Sequence, residues 1–133
     1  MRVVLDTNVL ISGIFFSGPP HQILKFWHQG KLTLVISESI FDEYQRVAKE
    51  LSAQFPDIEL EPILALLLTE SDLIQAGELP EQVCNDPDDD KFLACALVGK
   101  SKIIISGDKA LLKVSGYRGI EVLQPREFVE NFL

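Results

Sequence analysis

The sequence predicts an α/β fold: a largely parallel sheet with helices over both faces. Two observations carry this. Short runs rich in branched apolar residues, Val3–Leu5, Leu32–Ile36, Ile103–Ser106 and Ile120–Leu123, alternate with segments of helical apolar spacing. Two of these runs lead into the same kind of polar edge, Asp6-Thr7-Asn8 after the first and Ser106-Gly107-Asp108 after the third. In open α/β sheets, ligands bind outside the carboxyl ends of the strands. An Asp there can receive a metal or a phosphate-bearing substrate.

The elements follow in order. Val3–Leu5 reads as a buried strand. Asn8 to Phe16 is a short helix, stopped by Ser17-Gly18-Pro19-Pro20. His21 to Gln29 is helical, with Ile23, Leu24, Phe26 and Trp27 at helical spacing, and Gly30 ends it. After the strand Leu32–Ile36, Ser37 caps a helix running to about Gln54. Its apolar stripe is Ile40, Phe41, Tyr44, Val47, Ala48 and Leu51. Phe55-Pro56-Asp57 breaks it. The next helix, about Glu59 to Thr69, is apolar on too many faces for a simple surface helix; it packs on another helix or on a second subunit. Leu73 to Ala76 is a short edge strand, and residues 77–88 form a loop. Asp89 to Gly99 is a helix, and Asp108 to Leu112 a shorter one. Pro125 opens the last, with Phe128 and Val129 inward.

A chain of 133 residues is expected to form one domain, 1–133, with a core large enough to need no staples. No apolar run has the length of a membrane span, and the N-terminus has no signal-peptide pattern. Cytoplasmic residence is therefore expected. Cys84 and Cys95 fall in a loop and a helix and are expected to be free thiols. His21 and His28 match no zinc pattern and read as structural or exposed. The net charge of −8 argues against simple electrostatic binding of nucleic acid, although Lys25, Lys31, Arg46, Lys49, Lys109, Lys113 and Arg118 could form local basic edges.

The carboxylates carry the chemistry. Asp6 could cap the following helix or belong to a site, and Asn8 could equally be the cap. A phosphoaspartate enzyme of the type that needs a second Asp two residues on would find Asn8 there. Glu43 borders the apolar stripe of its helix; Glu38 and Glu50 are less constrained. In Asp86-Pro87-Asp88-Asp89-Asp90, Asp88 is the expected cap, and helical phase aims Asp89 along the core stripe of Phe92, Leu93, Ala96 and Leu97. Asp90 is rotated by about 90° and is the alternative. Asp108 could cap its own helix, with the Ser106 hydroxyl beside it. Clustered carboxylates raise one another's pKa unless a counterion is present. An all-oxygen set without His or Cys suits Mg²⁺ or Mn²⁺. Such ions can polarise a phosphodiester and acidify a water.

Four ordered segments resemble the PIN-domain family, the ribonuclease fold of many bacterial toxins: V-V-L-D-T-N-V-L (3–10), S-x-x-I-x-x-E (37–43), D-P-D-D-D-K-F-L-A-C-A (86–96) and I-I-S-G-D-K-A-L-L (104–112). The ending around Pro125-Arg126-Glu127-Phe128 is similar to a subgroup of toxin components. The resemblance implies a three-layer α/β/α sandwich with an acidic Mg²⁺ or Mn²⁺ site. By position, Asp6, Glu43, Asp89 and Asp108 would be the metal-binding and catalytic acids, with Asp90 the alternative at the third place. Asn8 and Ser106 would orient them. It also implies an endoribonuclease acting on RNA, an antitoxin partner and a homodimer. The alternative is an inactive scaffold of the same fold that binds RNA or protein. A phosphorylated receiver fits less well, since its acids are distributed differently along the chain.

Overall fold

The computed structural model describes residues 1–133. Strands β1 (Arg2–Leu5), β2 (Thr33–Ser37), β3 (Asp72–Ile74), β4 (Ile103–Ile105) and β5 (Glu121–Leu123) form one sheet in the order β3-β2-β1-β4-β5. Every neighbouring pair is parallel, in registers such as Val3 with Leu34 and Leu5 with Ile105. Val3, Val4, Leu5, Leu34, Val35, Ile36, Ile104 and Ile105 are all buried. The central strands are therefore covered on both faces, which is why their sequence is apolar rather than alternating.

The helices are α1 (Thr7–Phe15), α2 (Pro19–His28), α3 (Glu38–Ser52), α4 (Leu60–Glu70), α5 (Asp90–Val98), α6 (Lys109–Lys113) and α7 (Pro125–Phe132), with 3₁₀ turns at Pro87–Asp89 and Tyr117–Gly119. α1 packs against α2 and α3, and α2 against α7; α5 lies against β1, β2 and β4. From β1 the chain builds outward through β2 to β3, then crosses back to β4 and β5. The order reverses between β1 and β4, and right-handed crossovers place the helices of the two halves on opposite faces. In open α/β sheets ligands bind at such a reversal, outside the carboxyl ends of the strands, here β1 and β4. Asp6 and Ser106 are the first residues past those two strands.

Local chemistry sets the boundaries. α2 begins at Pro19 rather than His21, because proline suits a first turn, where no amide is needed. α3 is capped by Ser37, whose hydroxyl accepts from the Ile40 amide at 3.4 Å, and it buries Ile40, Tyr44 and Ala48. It ends at Ser52, short of the expected Gln54. The helix expected from Asp89 begins as the 3₁₀ turn at Pro87, and its cap is Asp86, not Asp88. Asp86 Oδ1 accepts from the Asp88 amide at 3.0 Å, while Pro87 takes the first position. The edge strand covers 72–74 rather than 73–76. The apolar excess of α4 is mostly absorbed within the chain: Leu60, Leu64 and Leu67 are buried and Leu66 is partly buried, while Leu68 stays exposed. Cys84 and Cys95 are free and buried. No helix is long and apolar enough to cross a membrane.

Gly99 closes α5 where the helix meets β2. A Cβ there would come within 2.3 Å of Val35 Cγ1 and 2.9 Å of the Cys95 carbonyl. Only glycine lets the two elements approach this closely. That approach seats α5, and the acids at its start, over the central strands.

Candidate acidic active site

Asp6 extends the sheet ladder by one bond, its amide donating to the Ile105 carbonyl at 3.0 Å. It stands at the N-cap position of α1, yet its side chain caps nothing. Its Oδ2 instead accepts from the Ser106 hydroxyl at 2.6 Å. Ser106 Oγ in turn accepts from the Asp108 amide at 2.9 Å. One buried hydroxyl thus ties the ends of β1 and β4 together. Burial pushes the Asp6 carboxyl above its ordinary range; the Ser106 bond opposes this, and Asp108 and Glu43 add repulsion. The β1 end is braced from α3: the Tyr44 hydroxyl, fully buried, donates to the Leu5 carbonyl at 2.5 Å.

Asp108 does cap α6, Oδ1 accepting from the Ala110 amide at 3.2 Å. One of its oxygens is therefore occupied. Glu43, on the inward edge of α3, is held at both oxygens. Oε2 accepts from the Thr7 hydroxyl, and Oε1 lies 2.7 Å from Lys91 Nζ. Lys91 also reaches Asp88 Oδ2 at 2.8 Å, and Arg46 stands 4.0 Å from Glu43.

The acidic run divides by chemistry. Asp88 is held below the ordinary range by its bond to Lys91. Asp90 accepts from the amides of Val83 at 3.0 Å and Cys84 at 2.7 Å. Burial raises its pKa, but those two bonds outweigh it and hold the carboxyl below its usual value. Asp90 therefore fastens the preceding loop. Asp89 has neither a cation nor an amide against it. Burial, then Asp108, Asp86 and Asp6, push it up to about 6. Asp6, Asp89 and Asp108 are thus within electrostatic reach of one another, and Glu43 acts on Asp6. No three of these side chains converge closely enough to hold a metal ion as they stand. Bonds to Thr7, Lys91, Ser106 and Ala110 account for where three of the four carboxylates point. The donor chemistry nonetheless fits a hard cation, being all oxygen, with the buried Asp6 and the crowded Asp89 lacking a positive partner.

The PIN-domain family model matches residues 2–110, which include all four acids. The chain belongs to the PIN-domain family. PIN domains are generally nucleases and typically use divalent metal ions. This PIN domain is 31% identical over 147 residues to an uncharacterized protein, MJ1680, of Methanocaldococcus jannaschii, covering 99% of this chain and 92% of that protein. No solved structure matches.

Within the PIN domain, Ser106 makes the expected contact to an acid and Asn8 does not. Asn8 is exposed on the first turn of α1 and makes no side-chain hydrogen bond to a carboxylate. The neighbouring Thr7 makes that contact instead, because the first helical turn points its hydroxyl back toward α3. Two further residues escape a reading by motif, Tyr44 and Lys91. Tyr44 sat in the apolar stripe, where a hydroxyl reads as incidental. Lys91 had a signal, its spacing of three from Asp88 on one helix, but its partner Glu43 is 48 residues away. The histidines lie outside the acid set: His21 Nδ1 pairs with the Gly13 carbonyl at 3.0 Å, and His28 pairs with Glu70 at an exposed position.

Proposed function

We propose that this PIN domain is a metal-dependent endoribonuclease that hydrolyses RNA phosphodiester bonds and serves as the toxin of a toxin–antitoxin pair. One observation carries this: at the sheet's switch point, Asp6 is buried and Asp89 crowded by other acids, with no cation of the chain against either. Such an arrangement opposes folding by itself and is relieved by a bound cation. Asp6, Glu43, Asp89 and Asp108 would hold Mg²⁺ or Mn²⁺. Bound there, the ion supplies Lewis acidity toward a phosphoryl oxygen and lowers the pKa of a water. The chain's own part is orientation. Ser106 fixes one oxygen of Asp6, Thr7 fixes one of Glu43, and Asp90 pins the loop at Val83 and Cys84. Arg46 and Lys91 bring positive charge to Glu43, which offsets part of the −8 net charge where RNA would approach.

Beside Asp88 and Lys91 a cleft of about 640 Å³ opens, lined in part by Ser39, Glu78, Glu81 and Asp90. It supports the proposal that an antitoxin segment lies next to the site. Leu68, 44% exposed, and Leu73 on the edge strand, 51% exposed, support a homodimer; a monomeric mass in solution would refute it. The same proposal takes residues 1–133 as one domain and the cytoplasm as its place of action.

A second reading, a PIN-like scaffold without catalysis, draws on the engagement of Glu43 by Lys91. Metal titration separates the two, since only the nuclease requires a thermal shift with Mg²⁺ or Mn²⁺. The direct test is Asp6→Asn, in which the amide oxygen can still accept from Ser106. The variant should fold and lose RNA cleavage. Undiminished cleavage, with contaminating nuclease excluded, would sink the proposal.

A further inference from the structure

Each oxygen of Glu43 already accepts a hydrogen bond from a donor of this chain. The two donors differ in kind. Thr7 is a buried hydroxyl on the first turn of α1, with little freedom to leave. Lys91 is an ammonium on a flexible four-carbon stem, 2.7 Å from Glu43 Oε1 and 2.8 Å from Asp88 Oδ2. Its two partners lie in unequal surroundings. Glu43 is 17% exposed and Asp88 67% exposed, so the ammonium bridges the inner acid set and open solvent. An ammonium proton and a hard cation use the same oxygen lone pairs, the cation at roughly 2.0–2.1 Å for Mg²⁺. A dication on Oε1 would meet the ammonium that lies 2.7 Å from that oxygen, and the two positive charges repel at this range.

We infer that Lys91 is a positioning residue that competes with a divalent cation for Glu43, holding Oε1 until the cation takes it and then remaining tethered to Asp88. Charge favours the exchange. Glu43 has this one ammonium within hydrogen-bonding distance, and a dication compensates more charge at shorter range. The exchange keeps Lys91 paired, because Asp88 lies three residues before it on the same helical turn. Lys91 thereby sets the cation concentration at which Glu43 joins the site. This inference rests on the proposed metal site and adds the residue that governs its loading.

The test uses the full chain and Mn²⁺ or Mg²⁺ alone. Lys91→Gln should bind Mn²⁺ about threefold to tenfold more tightly by calorimetry, since a competitor and a like charge are both gone. Arg46→Gln removes a like charge that only reaches 4.0 Å from Glu43, and should change affinity by less than about twofold. In the wild-type protein, the Lys91 ε-methylene NMR signal should shift on Mg²⁺ addition with the midpoint of the binding isotherm. This arm does not depend on any variant folding. Mg²⁺ binding with the Lys91 signal unmoved at saturation overturns the inference and leaves the metal site standing. So does unchanged or weaker affinity in a natively folded Lys91→Gln. A wild-type protein that takes up no Mn²⁺ overturns both.

Discussion

Neighbouring carboxylates at 89 and 90 should answer the same substitution with opposite signs. The Asp89 side chain caps no helix amide, and its carboxyl is pushed up to about 6 from 3.8 by burial and by Asp108, Asp86 and Asp6. A folded-state value above the unfolded one means that the fold prefers the neutral acid. Its contribution is fully present below about pH 4 and is lost as pH rises through about 6. The gap corresponds to about 3 kcal/mol at 1.36 kcal/mol per unit, and solvent screening of a partly exposed side chain reduces it to about 1 kcal/mol. Asp89→Asn removes the charge and no backbone contact. In metal-free buffer at pH 7.5 it should raise Tm by about 3–5 °C, and at pH 4 the two proteins should melt alike. Asp90 is the reverse case. Its carboxyl is held low by the Val83 and Cys84 amides, so its contribution is present at neutral pH and lost as pH falls through that lowered value. Asp90→Asn leaves one amide facing an NH₂ group and should cost about 1–2 kcal/mol at pH 7.5. Thermal denaturation followed by circular dichroism in EDTA, at pH 7.5 and pH 4, measures both. Destabilisation by Asp89→Asn at pH 7.5, or a gain from Asp90→Asn, would refute the division of the run into a crowded acid and a structural one.

Gly99→Ala should destabilise by about 1–3 kcal/mol in urea unfolding, because the new methyl meets Val35 and the Cys95 carbonyl; a neutral result would mean that α5 is not pressed against β2. Tyr44→Phe removes the hydroxyl that braces the Leu5 carbonyl and should cost about 1–2 kcal/mol by the same measurement. Burial pushes both cysteine thiols up to about 12. At pH 8 the thiolate fraction is then on the order of one in ten thousand, so iodoacetamide should label the native protein over many hours and the urea-unfolded protein within minutes. Rapid native labelling would contradict the burial of Cys84 and Cys95.

Much of the fold was legible in the sequence because its strands are buried on both faces. Runs such as Val3-Val4-Leu5 and Ile103-Ile104-Ile105 have few other interpretations when helical segments separate them. The strand order was less legible: 73–76 read as an edge strand, but nothing local in residues 72–74 says that they pair with β2. Capping was legible where one residue does one job, as at Ser37. It failed at Asp88, because Pro87 moved the first turn back by two residues and transferred the cap to Asp86. The preference for Asp89 over Asp90 came from helical phase. The structure adds what phase could not supply, the amides of Val83 and Cys84, which lie in a loop without periodicity. Thr7 and Lys91 were illegible as a pair of clamps on Glu43, since their contacts span 36 and 48 residues of chain.

The scaffold and the nuclease differ in what each must do with negative charge. A scaffold needs its acids satisfied by the chain, and this chain shows that it can do so. Asp88 has Lys91, Asp90 has two amides, and Asp108 has a helix end. Asp6 and Asp89 are treated differently. Asp6 is buried against a neutral hydroxyl, and Asp89 faces other acids. Amides at those two places would relieve the repulsion, and sites held for function commonly carry such a cost in stability. Asp6 and Asp89, with no cation or helix end of their own beside Glu43, Asp88, Asp90 and Asp108, support the proposed ligand from outside the chain. Their place past the ends of β1 and β4, where the strand order reverses, is where α/β sheets bind ligands. A positively charged ligand held by oxygen there is what a metal-dependent nuclease requires and what a bare scaffold does not.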